Sequence, residues 1–243
     1  MLTKYVEPGE KVELQLMVHD MDENPEIEKK VYYSVVYDIL SDDRLEIFMP
    51  MEKQKLILLP VDSEYDMFIY TKTGLLQCFA RIVDRYKSNN VYILSLELIS
   101  NLRKYQRREF YRFACALEMD SRPLNEEEVK AYESGEIYLD AEAPLTKGII
   151  VDISGGGIRF TTTAKYEVGA YLYCTYSLLI NNLLKDYKIV GKVLRNRSID
   201  NRPGEYECRV QFLNLNPLQR EEIIKFIFDE ERKNRKNHRS STL

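Results

Sequence analysis

The chain has 243 residues, 44% of them hydrophobic and 30% charged, a globular balance that excludes disorder and leaves room for two modest domains. Its formal net charge of −4 disfavours spreading over a long polyanion. Apolar runs such as LILLPV at 56–61 are far too short to cross a bilayer, so no stable membrane insertion is expected.

The first hundred residues read as β-rich. KVELQLMV (11–18), VYYSVVYDIL (31–40), RLEIFMP (44–50), YDMFIYT (65–71), LLQCFARIVDRY (75–86) and VYILSLEL (91–98) are dense in β-branched and aromatic residues. Turn clusters separate them at 20–25, 41–43, 72–74 and 87–90. Six short strands at this spacing predict a small antiparallel barrel or sandwich over 1–100. The opening stretch MLTKYVEPGEKVELQL has no apolar signal core, which implies a cytoplasmic protein.

NLRKYQRREFYRF (101–113) is basic at its start and apolar at its end, and reads as an interdomain linker over 101–112 that runs into a second domain over 113–231. Within that domain, 121–146 looks like an insertion carrying one short helix. Asn125 can cap the helix, Glu128 stands three residues on, and Gly135 can end it. Strands resume at 147–153, 157–162, 170–180, 186–195 and 205–213. The chain closes on a helix opened by Pro217, with Leu218, Ile223, Ile224, Ile227 and Phe228 as its apolar stripe. Residues 232–243 form a basic tail, read as solvated. The fold class is therefore mainly β: two small antiparallel β-barrels in tandem, the second closed by a C-terminal helix.

Catalytic and metal chemistry finds little support. The two histidines, His19 and His238, lie beside an acidic turn and in the tail, and make neither a metal site nor a triad. The acidic turn at 20–23 lacks the spacing of a calcium loop. No phosphate-cradling or dinucleotide-binding glycine pattern occurs. Cys78, Cys115, Cys174 and Cys208 are scattered without CxxC spacing and read as small core residues. No enzyme and no metal are expected.

Two features carry chemistry. Arg103, Lys104, Arg107, Arg108 and Arg112 fall within ten residues, with Arg108 and Arg112 forming RxxxR behind Arg107. A guanidinium fork gives two parallel hydrogen bonds to a phosphate, matches the O6/N7 edge of guanine, and stacks on a base. By itself the segment is equally a solvated linker. The second feature is DISGGG at 152–157, between two strand-like runs. Asp152 can accept from a guanine N1–H and N2–H, and Ser154 offers a hydroxyl. Gly155, Gly156 and Gly157 permit positive φ and close approach of a ligand. By itself DISGGG is equally a plain hairpin turn.

Together, RREFYR and DISGGG resemble the PilZ domains, receptors for cyclic di-GMP. RVQFLNL (209–215) followed by FIFDEER (226–232) looks like the usual close of such a domain, and the first hundred residues look like the partner barrel of flagellar-brake proteins of the YcgR type. The resemblance implies a ligand gripped by Arg108 and Arg112, with Asp152 and Ser154 on a guanine and Gly157 holding the turn. Arg107 before the motif resembles the form that takes two stacked ligand molecules per chain. A linker of repelling cations without partners would be mobile until the dianion bridged it to the barrel. The output implied is regulation of flagellar motility through the motor or another protein partner, by a cytoplasmic protein recruited to the basal body. Two rivals remain. Tyr105, Phe110 and Tyr111 interleave with the arginines as in single-strand nucleic-acid barrels, which the net charge opposes. A ligand-free PilZ-like scaffold would carry degraded motifs, and these are intact.

Overall fold

The computed structural model describes residues 2–17, 30–136 and 138–240. His19 and the acidic turn at 20–25 fall outside them, as does the side chain of His238. The chain divides into two compact units, Met1–Arg107 and Arg108–Leu243.

The first unit opens with a 3-10 turn at Leu2–Lys4 and continues through β1 (Lys11–Leu16), β2 (Val31–Ile39), β3 (Arg44–Phe48), the two-residue strands β4 (Met51–Glu52) and β5 (Lys55–Leu56), β6 (Glu64–Thr71), β7 (Gly74–Ser88), β8 (Val91–Leu98) and β9 (Arg103–Lys104). The sheet order is β6-β1-β2-β3-β8-β7-β9, and β6 also pairs with β7, so six antiparallel strands close into a ring with β9 riding on β7. The six strands expected from alternation are those of the ring. The β4–β5 ribbon and β9 are too short for a periodic signal. Leu14, Leu45, Ile47, Met67, Ile69, Ile82, Leu94 and Leu96 fill the interior. Asn89 and Asn90, both with positive φ, make the tight turn between β7 and β8, a conformation asparagine tolerates better than most residues.

The second unit holds β10 (Phe113–Pro123), α1 (Glu126–Glu133), β11 (Thr146–Ser154), β12 (Gly157–Thr162), β13 (Tyr171–Ile180), β14 (Leu183–Ile199), β15 (Arg202–Phe212) and α2 (Pro217–Ser240). The strands form a closed barrel in the order β10-β11-β12-β15-β14-β13. Phe113, Ile150, Phe160, Leu172, Tyr187 and Val210 pack its core, and α2 adds Ile223, Phe226 and Ile227. Of the expected apolar stripe on α2, Leu218 and Phe228 are exposed, and the unassigned Phe226 is buried. Positions 223, 226 and 227 share one helical face, from which 228 is turned by about 100°. The basic segment from 232 is not a separate tail, because α2 runs on to Ser240. Ion pairs one turn apart support that extension: Arg232–Asp229, Lys233–Glu230 and Arg235–Glu231. Among the described residues, no helix is long and apolar enough to cross a membrane.

The segment expected as an insertion begins later than 121, since β10 continues to Pro123. Asn125 caps α1 in a full capping box with Glu128, and Gly135 follows the helix end at φ +87°. Glu128 does more than cap. Its carboxylate is fully buried and accepts both Nη1 and Nη2 of Arg122 at 2.7 and 2.6 Å, together with the backbone N–H groups of Asn125 and Asp140. Arg122 in turn lies over the Tyr173 ring. The insertion is thus bolted to β10 at its base. The Arg122 guanidinium beside it is the main reason that the Glu128 carboxyl is held down to about 2, against the cost of its burial.

Removing one member of such a buried pair leaves the other charge stranded. Glu128→Gln should destabilise the second unit by about 3 kcal/mol, read as a lower thermal midpoint. Because the folded-state value is depressed, this contribution is complete above the unfolded value near 4.5 and fades as pH falls toward about 2. Acid melting of the wild type should therefore show a loss across that window which Glu128→Gln lacks.

Candidate ligand site

Ser154 and Gly157 face each other across β11 and β12, so Gly155 and Gly156 are the two residues of a tight hairpin loop. The Ser154 hydroxyl donates to the Gly157 carbonyl at 3.1 Å and accepts from the Gly156 N–H at 3.4 Å, closing the turn on itself. None of the three glycines has a φ in the left-handed region, so positive φ is not the reason for glycine here. Lack of space is. A Cβ on Gly157 would stand 2.2 Å from the Val210 carbonyl oxygen on β15. On Gly155 it would meet Phe110 at 2.7 Å and Ile224 of α2 at 3.1 Å, and on Gly156 it would meet Phe110 at 3.0 Å.

Phe110 is the central residue of the RxxxR pentad. Its ring lies on the bare glycine turn, with Arg220 of α2 over it at 5.4 Å from the centroid. This contact seats the 108–112 segment on the DISGGG turn, within one unit. Phe113 follows in the barrel core, edge-on to Phe226. Arg108 and Arg112 flank Phe110 and are exposed. Tyr111 is exposed, and its hydroxyl donates to Glu231.

Asp152 is placed opposite Arg159 by the hairpin register, and Arg159 Nε donates to its Oδ2 at 2.5 Å. The other end of Arg159 donates to Glu207 at 2.8 Å, and Glu207 also pairs with Arg197 and Arg209. A ladder of alternating charge therefore crosses β11, β12, β15 and β14 beside the turn. Burial opposes ionisation of Glu207, yet the surrounding arginines, Arg159 first, hold it below the usual carboxylate range. The Asp152 carboxylate is the chief cause that raises Arg159. Sequence reasoning missed Arg159 and Glu207. The signal was available for Arg159: a two-residue loop at 155–156 pairs 154 with 157, and hence 152 with 159.

The basic segment was expected to lack partners and to be mobile; the structure corrects this. Arg103 Nε donates to Gln77 Oε1 at 3.1 Å, and β9 pairs with β7. The Tyr105 N–H donates to the Leu75 carbonyl, and its ring packs on Phe68 at 5.1 Å. Arg107, expected among the ligand arginines, is engaged within the first unit. Its Nη2 and Nη1 donate to the two oxygens of Glu13 at 2.8 and 3.0 Å, Nη1 also donates to the Tyr70 hydroxyl, and the guanidinium sits over Phe68 at 4.8 Å. Tyr70 and Gln15 add hydrogen bonds to Glu13. Strand alternation turns Glu13 away from the barrel interior, yet it is only 3% exposed because these groups cover it. Burial works against its charge, and the Arg107, Tyr70 and Gln15 bonds together still hold it below its ordinary value.

The other sequence features fall into place as structure. Cys78, Cys174 and Cys208 are buried and Cys115 partly so, and burial pushes the thiols up, to about 12 for Cys78 and Cys208 and about 11 for Cys115. Among the described residues no cluster of His, Cys, Asp or Glu could hold a metal ion.

Residues 106–229 match the PilZ domain family, and residues 7–98 match the family described as Flagellar protein YcgR. No curated protein matches the chain in sequence. Among solved structures it is similar to the Bacillus subtilis inhibitor of motility MotI/DgrA, with a TM-score of 0.68 at 16% identity over 95% of this chain and 100% of the other. It is also similar to Escherichia coli YcgR in complex with c-di-GMP, with a TM-score of 0.50 at 12% identity over 96% and 88%.

The glycines separate by what crowds them. Gly157→Ala presses on strand backbone and should lower stability by about 1–3 kcal/mol. Gly155→Ala presses on the mobile ends of Phe110 and Ile224 and should be milder. Thermal unfolding of the two variants side by side checks the order.

Proposed function

This chain belongs to the YcgR-like PilZ-domain family, and on that premise we propose that it is a cytoplasmic receptor for cyclic di-GMP that acts by binding and not by catalysis. One observation supports the reading: Phe110, the central residue of RxxxR, packs on the Gly155–Gly156 turn of DISGGG within one unit. The ligand is a dianion with two guanines. In this reading Arg108 and Arg112 grip its phosphates and guanine edges with forked, charge-assisted hydrogen bonds. Asp152 accepts from a guanine N1–H and N2–H. Arg159 takes Oδ2 and fixes the carboxylate plane, which leaves Oδ1 for the base. Ser154 shapes the turn, and Gly155, Gly156 and Gly157 let Phe110 and β15 close on it.

The signal is a change of interdomain arrangement. The ligand must bind one arrangement better than the others for that arrangement to be selected. The output is a protein contact that regulates flagellar motility, at the motor or with another partner. The kinship with the family described as Flagellar protein YcgR supports the motility part of that reading. Of the three aromatics that the nucleic-acid alternative needs, Phe110 is packed on the glycine turn and one face of Tyr105 meets Phe68, which leaves Tyr111 as the fully offered ring.

The chain has no tryptophan, so calorimetry is the direct assay. Wild type should bind cyclic di-GMP, Arg108→Ala should bind at least about tenfold more weakly, a loss of about 1.4 kcal/mol or more, and Asp152→Ala should be weakened. Folded wild type that gives no binding removes the reading. In cells, Arg108→Ala should also abolish the response of swimming to raised cyclic di-GMP; a variant that still slows swimming would refute the dependence.

A further inference from the structure

We infer that Arg107 is not a ligand residue but an anchor, with Glu13 as its socket, through which ligand capture in the second unit acts on the first. The inference rests on the receptor reading above. Four contacts fasten the chain from Arg103 to Arg107 onto the first barrel: the Arg103–Gln77 hydrogen bond, the β9–β7 pairing, Tyr105 on Phe68, and the Arg107–Glu13 fork. The last is the strongest. It is bidentate, is shared with Tyr70, and satisfies a carboxylate that is otherwise sealed from water. A phosphate that drew Arg107 away would strand that buried charge, so the fork stays closed when ligand arrives.

Arg108 is the very next residue, and it belongs to the second unit. Consecutive Cα atoms across a trans peptide are about 3.8 Å apart, with no stretch available. A ligand that fixes Arg108 therefore acts on a chain whose preceding residue is bolted to the other barrel. The joint can rotate but cannot lengthen, so a displacement of Arg108 is passed on to the first barrel. Sequence gives no hint of Glu13, which lies 94 residues from its partner.

The test uses the full chain, calorimetry for binding and small-angle X-ray scattering for shape, each with and without saturating cyclic di-GMP. The first variant is Glu13→Gln, whose amide turns a donor toward the guanidinium and breaks the fork. The second inserts two glycines between Arg107 and Arg108, which adds slack and leaves both networks intact should Glu13→Gln fail to fold. Wild type should bind one ligand per chain and change its radius of gyration. Both variants should bind within about threefold of wild type, under about 0.7 kcal/mol, and lose most of the scattering change. Three results overturn the anchor. The variants could keep the full scattering change. Glu13→Gln could bind about tenfold tighter, which would make Glu13 a competitor for a ligand arginine. Wild type could bind two ligands, or bind without changing shape. Absence of any binding by wild type is a separate result, since it removes the receptor reading itself.

Discussion

A phenyl ring resting on two glycines holds the candidate site together. The charges of the site are spread over a segment before the barrel and a hairpin within it. Phe110 supplies the apolar contact that joins the two. It can do so because Gly155 and Gly156 have no side chains, and because Ile224 and Arg220 of α2 close the other sides. The C-terminal helix thus has a part in the site as well as in the core. Arg108 and Arg112 flank that contact in sequence and are exposed.

Two buried carboxylates set the limits of what can move. Glu128 fixes the base of the insertion to β10, and Glu13 fixes the end of the basic segment to the first barrel. Each is held by an arginine fork, and each would be expensive to open. The basic segment, expected as a flexible string of cations, is anchored at Arg107 on the first barrel and at Phe110 on the glycine turn of the second.

Sequence revealed the fold well and the site in part, for physical reasons. The six strands of the first ring and the helix α1 declared themselves because alternation and capping are local. The paired RxxxR and DxSxxG motifs identified the family because they are short and fixed in spacing. The missed elements depend on distant contacts. β9 is two residues long and exists only because β7 offers an edge. Glu13 lies on the outward face of β1, and its burial comes from Tyr70, Gln15 and Arg107. Phe226 is buried in place of Phe228 because an apolar stripe alone does not fix the helix's rotation on the barrel. The basic cluster from 232 reads as a tail because the pairing of Arg232, Lys233 and Arg235 with acids a turn before leaves no periodic apolar signal.

The glycine motif carries a further consequence. Packing alone explains all three glycines: Val210 excludes a side chain at 157, and Phe110 excludes one at 155 and 156. A hairpin with this sequence would be required for the fold even if no ligand ever bound. The glycines are therefore weak evidence for a receptor, and their loss would report on stability as much as on binding. The charged residues are different. Arg108 and Arg112 are exposed and are not needed to fill the core, and Asp152 is held in a fixed orientation by an arginine that is itself held by Glu207. Such cross-strand pairs steady a sheet, and the fixed carboxylate they leave also suits a site that must read a planar base. The case for ligand binding rests on those charges, and the glycines provide the ground on which they stand.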